Sequence, residues 1–186
     1  MSGPLGYLFW HRPGAVDRTG YEESLRAFHE ALSADPPAGF VTSWTWRLAA
    51  PPWFEGADPT YLDVYLTADL STLAELERGA VTGGPQPAHD QAAAVMAAGV
   101  GALLQVVAGD PREGRDRPLA FVDKPHGAGR DPFVAGLAGL AGLAGGGAVW
   151  MRRLVLGPGP EYLVTGADHL PAATVWSTTP SALITG

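Results

Sequence analysis

The sequence predicts an α+β fold in which antiparallel sheets carry helices on their outer faces. Three observations lead there. Stretches rich in aromatic and β-branched residues alternate with stretches of helical spacing. The first part of the chain orders them β-α-β-β-α-β. The later part echoes the first: Phe9-Trp10-His11-Arg12-Pro13 recurs as Phe121-Val122-Asp123-Lys124-Pro125, and Trp44-Thr45-Trp46-Arg47-Leu48 as Trp150-Met151-Arg152-Arg153-Leu154. A repeat of about a hundred residues is too long for a solenoid unit and reads as two copies of one small domain. Residues 1–109 form the first copy and residues 110–117 a charged, Pro/Gly-bearing linker. Residues 118–186 form a second copy that lacks the last helix and strand, or keeps a vestige of them in Ser181 to Ile184.

Leu5 to His11 reads as a strand closed by Arg-Pro-Gly. Thr19 and Glu22 suit a capping box, and the helix beyond it sets Tyr21, Leu25, Phe28 and Leu32 on one face until Asp35-Pro36-Pro37 stops it. Phe40 to Ala49 and Tyr61 to Thr67 alternate as strands. Leu70, Leu73 and Leu76 follow Asp69 at helical spacing up to Gly83-Gly84-Pro85, and a second helical stretch runs from Pro87 to about Val100. Ala102 to Ala108 is read as a strand, although so short an apolar run could also extend that helix. In the second copy we expect a strand at Leu119 to Asp123, then a helix from N-cap Asp131 and Pro132 to about Leu143. Strands at Ala148 to Leu156 and Ala172 to Thr178 follow, with Tyr162 to Thr165 as an additional short strand.

Composition narrows the function. A formal charge of −7 argues against nucleic acid, whose phosphates require clustered Lys and Arg. The absence of cysteine excludes disulfides, thiolate metal sites and a Cys nucleophile. One lysine against eleven arginines, with much Ala, Gly and Pro, reflects a GC-rich bacterial genome. Phe133 to Met151 is uncharged over about 19 residues, near the length that spans a bilayer. Its glycine run and sparse leucine argue against membrane insertion. The N-terminus carries no basic-then-apolar leader, so a cytoplasmic protein is expected. No nucleophile elbow, P-loop or zinc spacing occurs.

With this order of elements, the tandem duplication and the aromatic strands, the chain resembles the dimeric α+β barrel superfamily of ferredoxin-like proteins. That group includes EthD-like proteins and small antibiotic-biosynthesis monooxygenases, and more distantly haem proteins. The resemblance implies helices outside and a pocket between the open face of one sheet and its partner sheet. It also implies a hydrophobic, aromatic or polyketide-like small molecule as substrate, oxygenated, cyclised or isomerised without a tightly bound cofactor.

The residues permit that chemistry. His11 ends the first strand with the parity of Tyr7 and Phe9, and is either a general base or a turn histidine. Asp63, Tyr61 and Tyr65 share one face of their strand, while Leu62, Val64 and Leu66 take the other, expected to be the helix-facing core. Asp63 is the second candidate base. Trp44, Trp46 and Trp150 suit a flat aromatic ligand or simple core packing. Arg47 and its counterpart Arg153 could hold an acidic group or sit on the sheet surface, and Arg152, in the place of Trp46, is a further candidate to touch the ligand. His89, early in a helix, is an axial ligand only if the protein binds haem, the alternative cofactor reading. A non-catalytic binding or oligomerisation module is the third reading. The predicted count of seven strands leaves one sheet short, so a homodimer that completes it is one expectation.

Overall fold

The computed structural model describes residues 3–56, 59–140, 146–154, 159–167, 169 and 174–186. Among them, nine strands form a single antiparallel sheet. The strands are β1 (Leu5–Pro13), β2 (Phe40–Leu48), β3 (Thr60–Thr67), β4 (Met96–Asp110), β5 (Leu119–Val122), β6 (Gly147–Leu154), β7 (Tyr162–Thr165), β8 (Thr174–Thr178) and β9 (Ala182–Ile184). The helices are α1 (Arg18–Ala34), α2 (Leu70–Thr82), α3 (Gln86–Ala94) and α4 (Arg130–Leu140). The sheet order is β8-β5-β7-β6-β4-β1-β3-β2-β9. Each half therefore runs fourth–first–third–second, and β4 joins β6 across the middle.

The seven predicted strands, with Tyr162 to Thr165 as the additional one, become nine among the described residues. β8 occupies the fourth position of the second half, and Ser181 to Ile184, expected as a vestige, supplies β9, which pairs with β2. Only residues 179–181 separate β8 at one end of the sheet from β9 at the other. So short a link spans at most about 14 Å. The sheet therefore curls until its ends meet within one chain, and the strand expected from a second chain is supplied by this one.

The curled sheet has an inner and an outer face. The inner face carries Leu8, Trp10, Trp44, Trp46, Leu62, Val64, Leu66, Leu104, Phe121 and Trp150 in one buried cluster. The outer face of the first half lies under α1, α2 and α3, and that of the second half packs on α4 through Val122, Leu137, Val149, Tyr162 and Val164. Leu62, Val64 and Leu66 thus line the barrel interior, and Asp63 and its tyrosines face the helices, the reverse of the expectation. The inner face is sealed sheet against sheet and takes the most apolar set. The outer face can carry polar groups because α1 brings partners for them.

Local differences have local causes. Asp17, not Thr19, caps α1 by accepting the Gly20 N–H at 2.8 Å. Asp131 lies inside the first turn of α4 rather than at its cap. β4 begins at Met96, well before the expected Ala102, because it pairs along the whole of β1. Gly99 and Gly101 make this pairing possible: a Cβ on either would strike the rings of Phe9 and Tyr7, which lie across β4. The sequence repeat is also out of step with the structure, since Phe9 faces the helices while its counterpart Phe121 lies in the barrel core. A slip of one residue exchanges the faces of a strand. The uncharged stretch from Phe133 divides between α4 and β6, and no described helix is long and apolar enough to cross a membrane. The expected positions Leu143, Leu156 and Ala172 lie outside the described residues.

Candidate functional site

Register on the outer face builds the site. Phe9 of β1, Asp63 of β3 and Thr45 of β2 stand side by side, and Tyr7 opposes Tyr65 while His11 opposes Tyr61. α1 crosses above with Tyr21, Leu25, Phe28 and His29 buried beneath it. The periodicity that selects Tyr21, Leu25 and Phe28 also carries His29 inward, four residues beyond Leu25.

Asp63, only 2% exposed, is the centre of the resulting network. Its Oδ1 accepts from Thr45 Oγ1 at 2.5 Å and its Oδ2 from Tyr65 Oη at 2.7 Å. His11 Nε2 lies 3.0 Å from Oδ1, off the line of an ideal hydrogen bond, so this contact is chiefly electrostatic. The other ring nitrogen, His11 Nδ1, sits 2.5 Å from Tyr21 Oη. Behind Thr45, the ring of His29 spans Thr45 Oγ1 and Ser43 Oγ, each at 2.7 Å. A chain of contacts thus runs Ser43–His29–Thr45–Asp63–His11–Tyr21, with Tyr65 on the second carboxylate oxygen.

The electrostatics follow from these partners. Burial opposes ionisation of Asp63, but the His11 charge, His29 and the Thr45 hydroxyl together outweigh it and hold the carboxyl at about 2. Burial pushes His29 below its ordinary value against the pull of Asp63. Tyr65 is raised well above the usual phenol range by burial and by the carboxylate it donates to. Burial first, and then Asp63, raises Tyr7 and Tyr21 as well. The phenols stay protonated and act as donors, while the carboxylate stays charged.

A cavity of about 520 Å³ opens beside Asp63, between the sheet and the three helices. Its wall is mostly hydrocarbon: Phe9, Leu25, Phe28, Leu73, Leu76, Ala92 and Leu103 among others. Among the described residues, Tyr7, Asp63, Tyr65, Glu77 and His89 are its polar groups, and no Lys or Arg lines it. Exposed Leu70, Val81 and Leu154 form an apolar rim.

The sequence-predicted residues divide. Tyr7, Phe9, Asp63 and Tyr65 meet at the cavity, and so does His89, whose Nδ1 is 3.0 Å from Asp90 and whose ring meets Phe28 edge-on. His11 stands behind Asp63, fully buried and stacked on Phe9 and Tyr61, and does not line the cavity. Of His11 and His89, it is His89 that reaches the cavity. Tyr61 donates to Glu22, which also pairs with Arg47 at 2.6 Å, placing both outside the cavity. Trp44, Trp46 and Trp150 are fully buried in the barrel, where the resemblance implied a pocket. Arg115 of the predicted linker sits over Trp44 and its carbonyl accepts from Trp46 Nε1. Arg152 donates to the Gly159 carbonyl beside a second, smaller cavity. The sequence reading missed Tyr21, His29, Ser43 and Thr45 as members of the site. Strand parity with Arg47 marks Ser43 and Thr45, and helix spacing marks the other two. No group of residues suited to hold a metal occurs among the described residues.

No protein-family model matches this sequence, and no curated protein matches it. Solved structures do match in shape. A candidate monooxygenase from Fusobacterium nucleatum is 8% identical, with a TM-score of 0.57, covering 90% of this chain and 77% of its own. An anthrone oxidase-like protein is 11% identical, with a TM-score of 0.50, covering 98% of this chain and 76% of its own. A candidate antibiotic biosynthesis monooxygenase from Caulobacter crescentus, 18% identical, covers 57% of this chain and 92% of its own at a TM-score of 0.40. At these identities the likeness is one of fold. The chain shares its fold with the first two of these structures.

Proposed function

We propose that this protein is a cofactor-independent enzyme that binds an uncharged aromatic or polyketide-like molecule in the cavity under α1, α2 and α3 and promotes its oxidation by dioxygen. The observation that carries this reading is the Asp63–Tyr65 pair set in a mostly hydrocarbon wall. A wall with two carboxylates and no cation disfavours an anionic ligand. The apolar rim admits a flat hydrophobic one.

In this reading Tyr65, donating to Asp63, keeps its oxygen free to accept from a substrate hydroxyl, while the carboxylate takes a proton from an acidic carbon. A carboxylate held near 2 is a weak base, so the substrate must be a carbon acid whose anion is widely delocalised. An anthrone is such an acid, and the anthrone oxidase-like neighbour makes it the first compound to try. The ring methylene loses both hydrogens, dioxygen supplies the new carbonyl oxygen, and its second oxygen leaves as water. His11 acts through Asp63 by fixing its charge.

The test is oxygen uptake with anthrone, matched to anthraquinone appearance, for the native protein, Asp63→Asn and Tyr65→Phe. We expect turnover above the spontaneous rate, falling about 100-fold in Asp63→Asn. Turnover unchanged in both variants would remove this pair from the chemistry. Binding of anthrone without turnover would favour a ligand-binding module. A Soret band in protein from haem-replete cells, lost in His89→Ala, would replace the cofactor-independent reading.

A further inference from the structure

We infer that the second half of the chain carries a separate anion site, suited to a small organic phosphate monoester. A cavity of about 340 Å³ lies where β6 and β7 meet the turn between β5 and α4. Lys124, Arg130, Arg152 and Arg153 line it, together with Met151, Glu161 and Tyr162. Four of the twelve basic residues of a chain with nineteen acidic ones therefore surround one small space.

Elsewhere three arginines meet carboxylates: Arg47 with Glu22, Arg78 with Glu75, Arg112 with Asp110. Here Arg130 pairs with Asp131. Among the described residues, Lys124, Arg152 and Arg153 have no carboxylate within ion-pair distance. Glu161 offers one acid to the three, and its Oε2 accepts the Lys124 backbone N–H at 3.2 Å. Nearby Asp123 accepts from the Glu161 backbone N–H. Lys124 Nζ reaches only carbonyls, Ala128 O at 2.9 Å and Pro125 O at 3.4 Å, and Arg152 reaches the Gly159 carbonyl. Three cations held around one concavity repel each other, and a bound dianion relieves that repulsion.

The geometry points to the ligand class. Two guanidinium groups and an ammonium suit the tetrahedral oxygens of phosphate, guanidinium forks by paired donation and the ammonium as a point charge. Buried Tyr162, braced edge-on by Phe133, forms an apolar wall with Met151, so an organic group on the phosphate is accommodated. The volume corresponds to about 11 waters at roughly 30 Å³ each, enough for a ring with one phosphate. This site is distinct from the cavity at Asp63, whose wall is acidic and apolar, and it does not depend on the proposed oxidation.

Phenyl phosphate is the probe, titrated calorimetrically into the intact chain at low ionic strength. We expect saturable binding that weakens as salt is added, at least about tenfold weaker binding in Arg153→Glu and in Lys124→Glu, and none with phenol. Arg153 is exposed and Lys124 half-buried, so the two variants test the same cluster at different risk to the fold. No saturable binding by the native protein, or equal binding by both variants, overturns the inference.

Discussion

His11 Nε2 lies 3.0 Å from Asp63 Oδ1, with both side chains closed to solvent, and this pair ties the first strand to the third beneath α1. Removing His11 takes a partner from the buried Asp63 carboxylate and leaves its burial less compensated, at a cost of about 3 kcal/mol. A His11 that served only as a general base would leave folding intact in His11→Ala and lose only turnover. The structure predicts instead a loss of about 3 kcal/mol in urea unfolding, with turnover falling because Asp63 loses its partner. An unchanged unfolding midpoint would show that the pair carries no structural load.

Acid sensitivity follows from the same carboxylate. Its folded pKa of about 2 lies below the ordinary 3.8, so its contribution is complete above about pH 4 and is lost as pH falls through 2. The shift corresponds to about 2 kcal/mol. Thermal melts of the native protein should drop through this window, whereas Asp63→Asn, less stable at neutral pH, should show a flatter profile there. Parallel profiles would contradict the assignment.

His29 works at higher pH in the same direction. Its folded pKa is depressed from 6.5, chiefly by burial, so the neutral ring stabilises the fold above that value and protons favour the unfolded chain below it. The difference in midpoint between pH 7.5 and pH 5.5 should shrink in His29→Gln, to be checked by denaturant titration at about those two pH values.

The barrel tryptophans are not equivalent. Trp46 Nε1 donates to the Arg115 carbonyl at 2.5 Å, whereas the buried Nε1 of Trp150 has no hydrogen-bond partner among the described residues. Trp46→Phe loses a hydrogen bond along with volume; Trp150→Phe removes an unsatisfied donor along with volume. Trp46→Phe should therefore cost about 1 kcal/mol more by equilibrium unfolding.

Gly101 sets the size of the Asp63 cavity. A Cβ there would sit 2.6 Å from Tyr7 Oη, the free end of a side chain that already lines the cavity. Gly101→Ala should swing that ring inward at a stability cost of about 1–2 kcal/mol and weaken anthrone binding about tenfold or more, read by fluorescence titration. Unchanged affinity with retained fold would place the ligand elsewhere.

Much of the fold was written along the chain. Alternation in Tyr61 to Thr67 and the spacing of Tyr21, Leu25 and Phe28 reflect local periods that any strand or helix imposes, so β3 and α1 were legible. So were Asp63 with Tyr65, and Tyr7 with Phe9, because parity groups them within each strand; the register of β1 with β3 brings the two pairs together. The extension of β4 back to Met96 was not legible: its glycines weaken any local preference, and pairing with β1 decides it.

The sequence by itself determined the α+β class, the order of elements and which residues of each strand share a face. Tertiary structure alone decided which face turned inward. Both faces of the sheet are covered, one by helices and one by the sheet itself, and local periodicity is the same for either. The choice rests on long-range pairing: α1 supplies Tyr21 and His29 as partners for the polar face, leaving the tryptophan face to close the barrel. That choice moved the candidate site from between the sheet walls to the space beneath the helices.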